Sequence, residues 1–221
     1  MSTPLHALLD RQVDVAISGN HRLTGRFADA GLDLIVLQQE QRFYYIPLIH
    51  IQSLQEARTS TAESVYAMPE PFLGTDGFSF RKLLNHAKGR FVEIFIAGNK
   101  SFHGYFTSIM NDYFVFYSPV YKAMYVSMNH LKWLIPYPSE SAPYTLPPSS
   151  LLSGSIPVPL SRTFAEQCKK LEGSLVILDL GEHCEKTGLI GSVDQQMAEL
   201  IQADGKVVLW NMHHLKTITL V

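Results

Sequence analysis

Short stretches of alternating apolar and polar residues, separated by polar turns, run through most of the chain. Val13 to Ile17 is the first of them, and its alternation is typical of a strand with one buried face. A helix with an apolar side is predicted over residues 4–10, with Pro4 in its first turn. Further strands are predicted at residues 23–27, 32–37, 43–47 and 49–54. The pattern therefore predicts a short helix followed by five short antiparallel strands.

The same order of elements occurs twice more, so the chain contains three repeats. In the second repeat, Ser79 can cap a helix that runs to Ala87. Its strands are predicted at residues 91–96, 101–109, 113–117, 123–127 and 130–134. In the third repeat, a helix starts at Ser161 or Thr163 and runs to Leu171. Its strands are predicted at residues 175–180, 187–193, 197–202, 206–210 and 215–220.

A glycine and a histidine hold the same places in all three repeats. These anchors are Gly25, Gly104 and Gly188, and His50, His130 and His214. The spacing from glycine to histidine is 25, 26 and 26 residues. A glycine inside a strand is typical of a bend or a bulge. Three histidines at equivalent positions indicate a structural role where the fourth strand turns into the fifth, in preference to a shared ligand set.

The repeats predict three modules and two linkers in a mainly β protein. The modules cover residues 1–57, 79–137 and 161–221, and the linkers cover the polar residues 58–78 and the Pro/Ser-rich residues 138–160. A module of this size buries only about 60% of its unfolded surface and is marginal alone. We therefore expect the three modules to pack on one another.

The net charge and the number of cysteines argue against several classes of protein. A formal net charge of −2 argues against a general nucleic-acid or anionic-membrane binder, and nucleic acid is not the expected partner. Two cysteines do not make a disulfide framework. The N-terminus lacks the pattern of a secretion signal, and no apolar run approaches the roughly 20 residues of a membrane helix. Synthesis in the cytoplasm, with no membrane partner, is the expectation.

The helix, the glycine turns and the segment that closes each repeat together resemble one family. The closing segment of the third repeat, Trp210 to Ile218 (WNMHHLKTI), is the most similar to that family. The family is the spore coat protein B group of endospore-forming bacteria, which carries tandem Sm-like units. The resemblance implies three tandem Sm-like five-stranded barrels, each preceded by a short α-helix.

Two features depart from the family pattern. The family's turn between the two glycines is basic and begins with a doubled glycine and a proline. Here the turns read GNHR from Gly19, GNKS from Gly98 and GEHC from Gly181. A member of the family also carries a long Ser/Lys-rich C-terminal tail that is a phosphorylation target, and residues 1–221 contain no such segment. Functions that belong to that tail are not implied.

These features predict a non-enzymatic structural protein, and the resemblance implies a component of the spore coat or of a similar layered assembly. Sm-like units place strand four of one unit against strand five of its neighbour, within a chain or between chains. The interaction residues predicted on strand four are Tyr45, Tyr125, Val126, Val208 and Trp210. The expected partners are other coat or assembly proteins and further copies of this chain.

An RNA-binding regulator is the alternative function, because the middle module alone is basic. Residues 79–137 carry seven Lys/Arg and two Asp/Glu, together with many aromatic residues. Cations would contact phosphates and an aromatic side chain would stack on a base. The candidates are Lys88, Arg90, Lys100, Lys122, Lys132 and Tyr105. The Tyr-Lys-His motif with which bacterial Sm proteins contact RNA is absent from strand four, and a small-molecule sensor is a third, weaker alternative.

Enzyme and metal-site motifs are missing from the sequence. It contains no nucleophile elbow, P-loop, zinc-protease helix or dinucleotide-binding glycine turn. The cluster of Glu182, His183, Cys184 and Glu185 matches no standard zinc spacing. We therefore expect no catalytic residues, no metal and no cofactor.

Overall fold

Antiparallel β-strands make up about half of the residues that the structure describes, so the protein is mainly β, as the alternation predicts. The computed structural model describes residues 4–57, 78–96, 100–138, 143–145, 158–181 and 183–221. Most residues of the predicted linkers, 58–78 and 138–160, lie outside the described residues.

Fifteen strands are described, five in each repeat. In the first repeat they are β1 (Gln12–Ile17), β2 (His21–Ala30), β3 (Leu34–Gln39), β4 (Arg42–Pro47) and β5 (Ile51–Glu56). In the second they are β6 (Phe91–Ile96), β7 (Lys100–Ile109), β8 (Tyr113–Ser118), β9 (Lys122–Ser127) and β10 (Leu131–Pro136). In the third they are β11 (Leu175–Leu178), β12 (Thr187–Val193), β13 (Met197–Ile201), β14 (Val207–Asn211) and β15 (Thr217–Leu220).

A short helix precedes the strands of each repeat, but only two of the three are α-helices. Helix α1 (Phe80–His86) is capped by Ser79, and helix α2 (Phe164–Lys169) starts with a capping box between Thr163 and Glu166. The helix before β1 is a five-residue 3-10 helix, Pro4–Leu8, so the expectation of an α-helix there is wrong. It is short because the backbone at Asp10 turns to a φ of 61°, which no helix accommodates.

The strands pair in the same way in each repeat. In the first repeat the order is β5-β1-β2-β3-β4, and in the third it is β15-β11-β12-β13-β14. In the second repeat β10 pairs with β6, and β8 lies between β7 and β9. Among the described residues, the fourth and fifth strands of one repeat do not pair with each other. The expected three barrels are therefore not confirmed, because each group of five strands stays open.

The chain forms two compact units, and the boundary between them falls inside the second repeat. The first unit takes residues 1–103 and 131–141, and the second takes residues 104–130 and 142–221. Strands β6 and β10 therefore belong to the first unit, whereas β8 and β9 belong to the second. The predicted division into three modules stays a prediction based on the repeats.

Each unit has an apolar core to which two repeats contribute. In the first unit, the inward faces of β1 to β4 pack with Phe95 and Trp133, whose rings stack at 3.9 Å between centroids. In the second unit, the buried side chains of Tyr113 and Tyr125 pack with the third repeat, including Phe164. The burial of large aromatic side chains from both repeats stabilises each pairing of neighbouring repeats.

The three anchor glycines are required because another strand passes close to them. A Cβ at Gly25 would lie 2.4 Å from the backbone oxygen of Gln38, and one at Gly188 would lie 2.3 Å from that of Ile201. The same contact at Gly104 would be 2.0 Å. A register shift follows each glycine within a few residues, so the second strand of each repeat carries the predicted bulge.

Candidate assembly edges

The fifth strand of one repeat lies beside the fourth strand of the repeat before it, and we call each such pairing a joint. At the first joint, β10 pairs with β4, with Leu134 opposite Tyr45. At the second joint, β15 pairs with β9, with Ile218 opposite Tyr125. Leu134 and Ile218 hold equivalent positions in their repeats, as do the two tyrosines. The two joints therefore share one register.

A carboxylate reinforces each joint by binding the start of the next helix. Phe80 is the first residue of α1, and its backbone N–H donates a 2.6 Å hydrogen bond to the carboxylate of Asp33. Asp112 accepts the equivalent bond from Phe164, the first residue of α2, at 2.8 Å. An acceptor at this position satisfies one of the N–H groups that a helix leaves unpaired.

The turn of the third repeat has no such role. Gln196 occupies the position of Asp33 and Asp112. The nearby Asp194 accepts from the backbone N–H groups of Gln196 at 2.7 Å and of Met197 at 2.6 Å, inside its own turn. These two bonds lower the pKa of Asp194 because they stabilise the charged carboxylate.

Buried polar groups hold the fifth strand at both joints. At the first, Lys132 donates to the hydroxyl of Ser18, and its Nζ lies 3.4 Å from Nδ1 of His50. At the second, one carboxylate oxygen of Asp179 accepts from the backbone N–H groups of Lys216 at 2.7 Å and Thr217 at 3.1 Å. The fifth strand of each later repeat is thus held by polar groups in the turns of its own unit, including Ser18 just after β1 and Asp179 just after β11.

Asp179 is also half of a buried ion pair. Its second oxygen lies 2.6 Å from Nζ of Lys186, and both side chains are buried. Lys186 Nζ lies 5.2 Å from the centre of the Trp210 ring on β14. This ion pair connects the start of β15 to the inner face of β14.

Strand β14 has the position of β4 and β9, but in the described part of the chain one of its edges is unpaired. It pairs with β13 on one side, and no strand of the described residues pairs with its other side. Leu209 corresponds to Tyr45 and Tyr125, which are 4% and 1% exposed, whereas Leu209 itself is 60% exposed. Val207 beside it is 49% exposed. An apolar strand edge in water is the surface on which another strand can be added.

The five predicted interaction residues divide between the joints and this edge. Tyr45, Tyr125 and Val126 lie in the two joints, where burial raises the pKa of both tyrosines. Val208 and Trp210 lie on β14, but Trp210 packs against the core. The exposed apolar side chains there are Val207 and Leu209, which were not among the predicted residues. Alternation along β14 could have shown two faces, but not which of them is covered.

The three histidines end one-turn 3-10 helices between the fourth and fifth strands. These turns are Leu48–His50, Met128–His130 and Met212–His214. The imidazole of His130 lies 2.9 Å from the backbone oxygen of His213, and Nδ1 of His50 lies 3.2 Å from the Ser18 hydroxyl. His214 is exposed. The equivalent turns thus have different side-chain partners.

The basic residues predicted to bind RNA have unlike environments. Lys88, Arg90 and Lys122 are exposed. Lys132 is 7% exposed, and Tyr105 is 8% exposed. The side chain of Lys100 lies outside the described part of the chain. RNA binding through this set stays a prediction.

The His-Cys-Glu turn of the third repeat forms no ligand cluster. Within the described ranges, no three His, Cys, Asp or Glu side chains gather as a metal site. Glu182 lies outside those ranges. Cys184 is exposed and Cys168 is buried, and both are free thiols. The part of the chain that is described has no helix with the length and hydropathy that crossing a membrane requires.

Strand pairing and cores together define a class: a mainly β protein of tandem repeats, in which the second and third repeats are joined by their fifth strands to the repeat before them. The YwrJ third-domain family matches residues 163–218, which begin at the cap of α2 and end in β15. The whole chain is 44% identical to YwrJ of Bacillus subtilis (strain 168) over 221 residues, covering 98% of each protein. This chain therefore belongs to the YwrJ family.

Proposed function

We propose that this protein is a non-enzymatic assembly protein that binds other proteins through the open edge of β14. One observation carries the proposal. Leu209 is 60% exposed at the position where Tyr45 and Tyr125 are buried beside a fifth strand. Among the described residues, one strand-pairing surface thus occurs three times and is covered twice.

The chemistry of this edge supports protein binding over other roles. Added strands form main-chain hydrogen bonds, and alternate side chains supply selectivity. Natural proteins usually protect such edges with charge, proline or a covering segment. Residues 207–211 read VVLWN and contain neither charge nor proline. This composition favours an edge that is covered by a partner.

The finer proposal is that the repeats are Sm-like units and that the assembly is the spore coat or a similar layer. The resemblance of the closing segment, Trp210 to Ile218, to the spore coat protein B group supports it. The joints support it as well, since Sm-like units associate by their fourth and fifth strands. The expected location is therefore the surface of the developing spore, after synthesis in the cytoplasm.

A fluorescent fusion expressed in sporulating Bacillus subtilis tests this proposal. The unchanged protein should collect at the spore surface, and Leu209→Asp should leave it diffuse because a charge disfavours burial of the edge. Leu175→Asp is the matched control, because Leu175 lies on a strand of the same unit and is 59% exposed. A diffuse unchanged protein, or equal behaviour of the two variants, would contradict the proposal.

RNA binding is the alternative, and the exposed Lys88, Arg90 and Lys122 support it. The burial of Lys132 and Tyr105 counts against it, since neither can reach a nucleotide at the surface. A filter-binding titration at two salt concentrations separates the two functions. RNA binding requires an affinity that falls steeply with salt and is lost when Lys100 and Lys122 are replaced by alanine.

A further inference from the structure

We infer that the partner of β14 is β5 of a second copy of this chain, with Leu54 of the second copy opposite Leu209. This inference rests on the proposed function and names its partner. Strand β5 is the fifth strand of the first repeat, and it pairs only with β1 among the described residues. The two edges would join copies of the chain head to tail.

The register follows from the two joints within the chain. Leu134 faces Tyr45 at the first, and Ile218 faces Tyr125 at the second. The residue of β5 that corresponds to Leu134 and Ile218 is Leu54. Leu209 corresponds to the two tyrosines, so a third joint in the same register pairs Leu54 with Leu209.

The hydrogen-bonding groups of β14 point in the direction that this pairing requires. At the second joint, the N–H of Ser127 donates to the carbonyl oxygen of Lys216 at 3.0 Å. Alternate residues of an antiparallel strand donate toward the same neighbour. Asn211 corresponds to Ser127, so the N–H groups of Asn211 and Leu209 point away from β13. The carbonyl that would accept from Asn211 belongs to Gln52 of the second copy, which corresponds to Lys216.

Strand β5 offers a matching edge. Its N–H groups also alternate, and Ala57 just beyond it donates back to Gln12 at the start of β1. The N–H of Leu54 therefore points away from β1. Leu54 is only partly buried, whereas its equivalents Leu134 and Ile218 are fully buried by their joints. Covering this edge with β14 would bring Leu54 to the state of its two equivalents.

The joint between copies should be weaker than the joints within the chain. The helix-binding carboxylates Asp33 and Asp112 have no counterpart at the third turn, where Gln196 stands. The strands are also not held together by a covalent connection. We therefore expect self-association that increases with protein concentration. A heterologous contact of this kind gives a ring if the rotation closes and a filament if it does not.

Light scattering coupled to size-exclusion chromatography, over a roughly hundredfold range of concentration, measures the association. The unchanged protein should form oligomers, and Leu209→Asp should weaken association by more than about tenfold. Leu54→Asp should have the same effect, and Leu175→Asp should not. A monomeric mass at every concentration, or oligomers that both edge variants retain, would overturn the inference.

Mixing the two edge variants excludes misfolding as the cause. Each variant keeps one intact edge, so an equimolar mixture of Leu209→Asp and Leu54→Asp should form dimers and nothing larger. Thermal unfolding of each variant checks that it remains folded. A mixture that stays monomeric, although both variants are folded, would also overturn the pairing of β14 with β5.

Cysteine pairs test the register. In a Cys184→Ser background, a chain with Leu209→Cys is mixed with a chain carrying Leu54→Cys and oxidised. Leu209 and Leu54 would form a hydrogen-bonded antiparallel pair, in which the Cα atoms lie about 5.5 Å apart, a distance that suits a disulfide. Ser53→Cys is the control, because its side chain lies on the other face. Equal cross-linking of both pairs would refute this register.

The mass measured in solution and the location of the fusion in cells together distinguish a failure of this inference from a failure of the proposed function. A protein that is monomeric in solution but leaves the spore surface when Leu209 is replaced by aspartate binds a different partner through the same edge. A protein that forms the predicted oligomer but is diffuse in sporulating cells assembles elsewhere.

Discussion

Replacing Asp179 with alanine should destabilise the second unit far more than the loss of a single surface contact would. The carboxylate is 4% exposed and holds three groups at once. One oxygen lies 2.6 Å from Nζ of Lys186, and the other accepts from the backbone N–H groups of Lys216 and Thr217. Alanine would leave a buried ammonium group without its carboxylate and the start of β15 without its acceptor.

The size of the effect follows from the ion pair and its burial. Breaking a buried ion pair by removing one partner costs about 3–5 kcal/mol. Each hydrogen bond to a charged group adds about 1.5–3 kcal/mol, although these contributions overlap and water can replace part of them. We expect Asp179→Ala to lower the free energy of unfolding by at least about 4 kcal/mol.

Asparagine is the matched variant, because it separates the charge from the hydrogen bonds. The backbone of Asp179 has a φ of 47°, a region that Asp and Asn tolerate better than alanine. Asp179→Asn keeps an oxygen for the two N–H groups, but it replaces the charged oxygen that faces Lys186 with an amide NH2 group. Its cost should therefore be clearly smaller than that of Asp179→Ala.

Urea unfolding of the second unit measures these differences. The protein has two tryptophans, so Trp133→Phe leaves Trp210 as the reporter, and its ring lies 5.2 Å from Lys186 Nζ. In a double-mutant cycle with Lys186→Met, the coupling free energy should be about 0.5–3 kcal/mol. A loss below about 1 kcal/mol for Asp179→Ala would refute the reasoning, since that is the usual cost of a typical surface or neutral contact.

Two substitutions and one labelling experiment test the core and the thiols. Gly188→Ala should cost about 1–3 kcal/mol by urea unfolding, because its Cβ would lie 2.3 Å from the oxygen of Ile201; an unchanged midpoint would contradict the close approach. Tyr113→Phe should cost about 1 kcal/mol in the same assay, because the buried hydroxyl donates a 2.8 Å bond to a backbone oxygen; a more stable variant would contradict this. A thiol reagent should label Cys184 rapidly and Cys168 only after unfolding, because burial raises the pKa of Cys168; rapid labelling of both in the native protein would contradict it.

Most of the local structure could be predicted from the sequence, because each strand has its own pattern. The alternation from Val13 to Ile17 predicts β1 almost to the residue. The predicted strand at residues 32–37 is shifted, since β3 is Leu34–Gln39. Asp33 remains outside the strand because its side chain binds the start of α1. A tertiary contact of this kind leaves no local pattern.

The joints and the exposed edge could be predicted only in part. The resemblance to Sm-like units implied that the fourth strands form the interaction surface, and two of them do pair with a fifth strand of another repeat. The residues predicted on β14 are Val208 and Trp210, whereas the exposed apolar side chains are Val207 and Leu209. A shift of one residue exchanges the two faces of a strand, and only the packing of Trp210 on the core decides between them.

Because the turn before the third strand differs between repeats, the three repeats cannot exchange places in the chain without losing a contact. Asp33 and Asp112 each accept a hydrogen bond from the first backbone N–H of the following helix. Asp194 instead accepts hydrogen bonds from N–H groups of its own turn. An engineered chain with the third repeat moved ahead of another would leave that helix without its acceptor. Gln196→Asp would be the first substitution to try in such a shuffled protein. The three repeats have thus diverged, and each is suited to its own position in the chain.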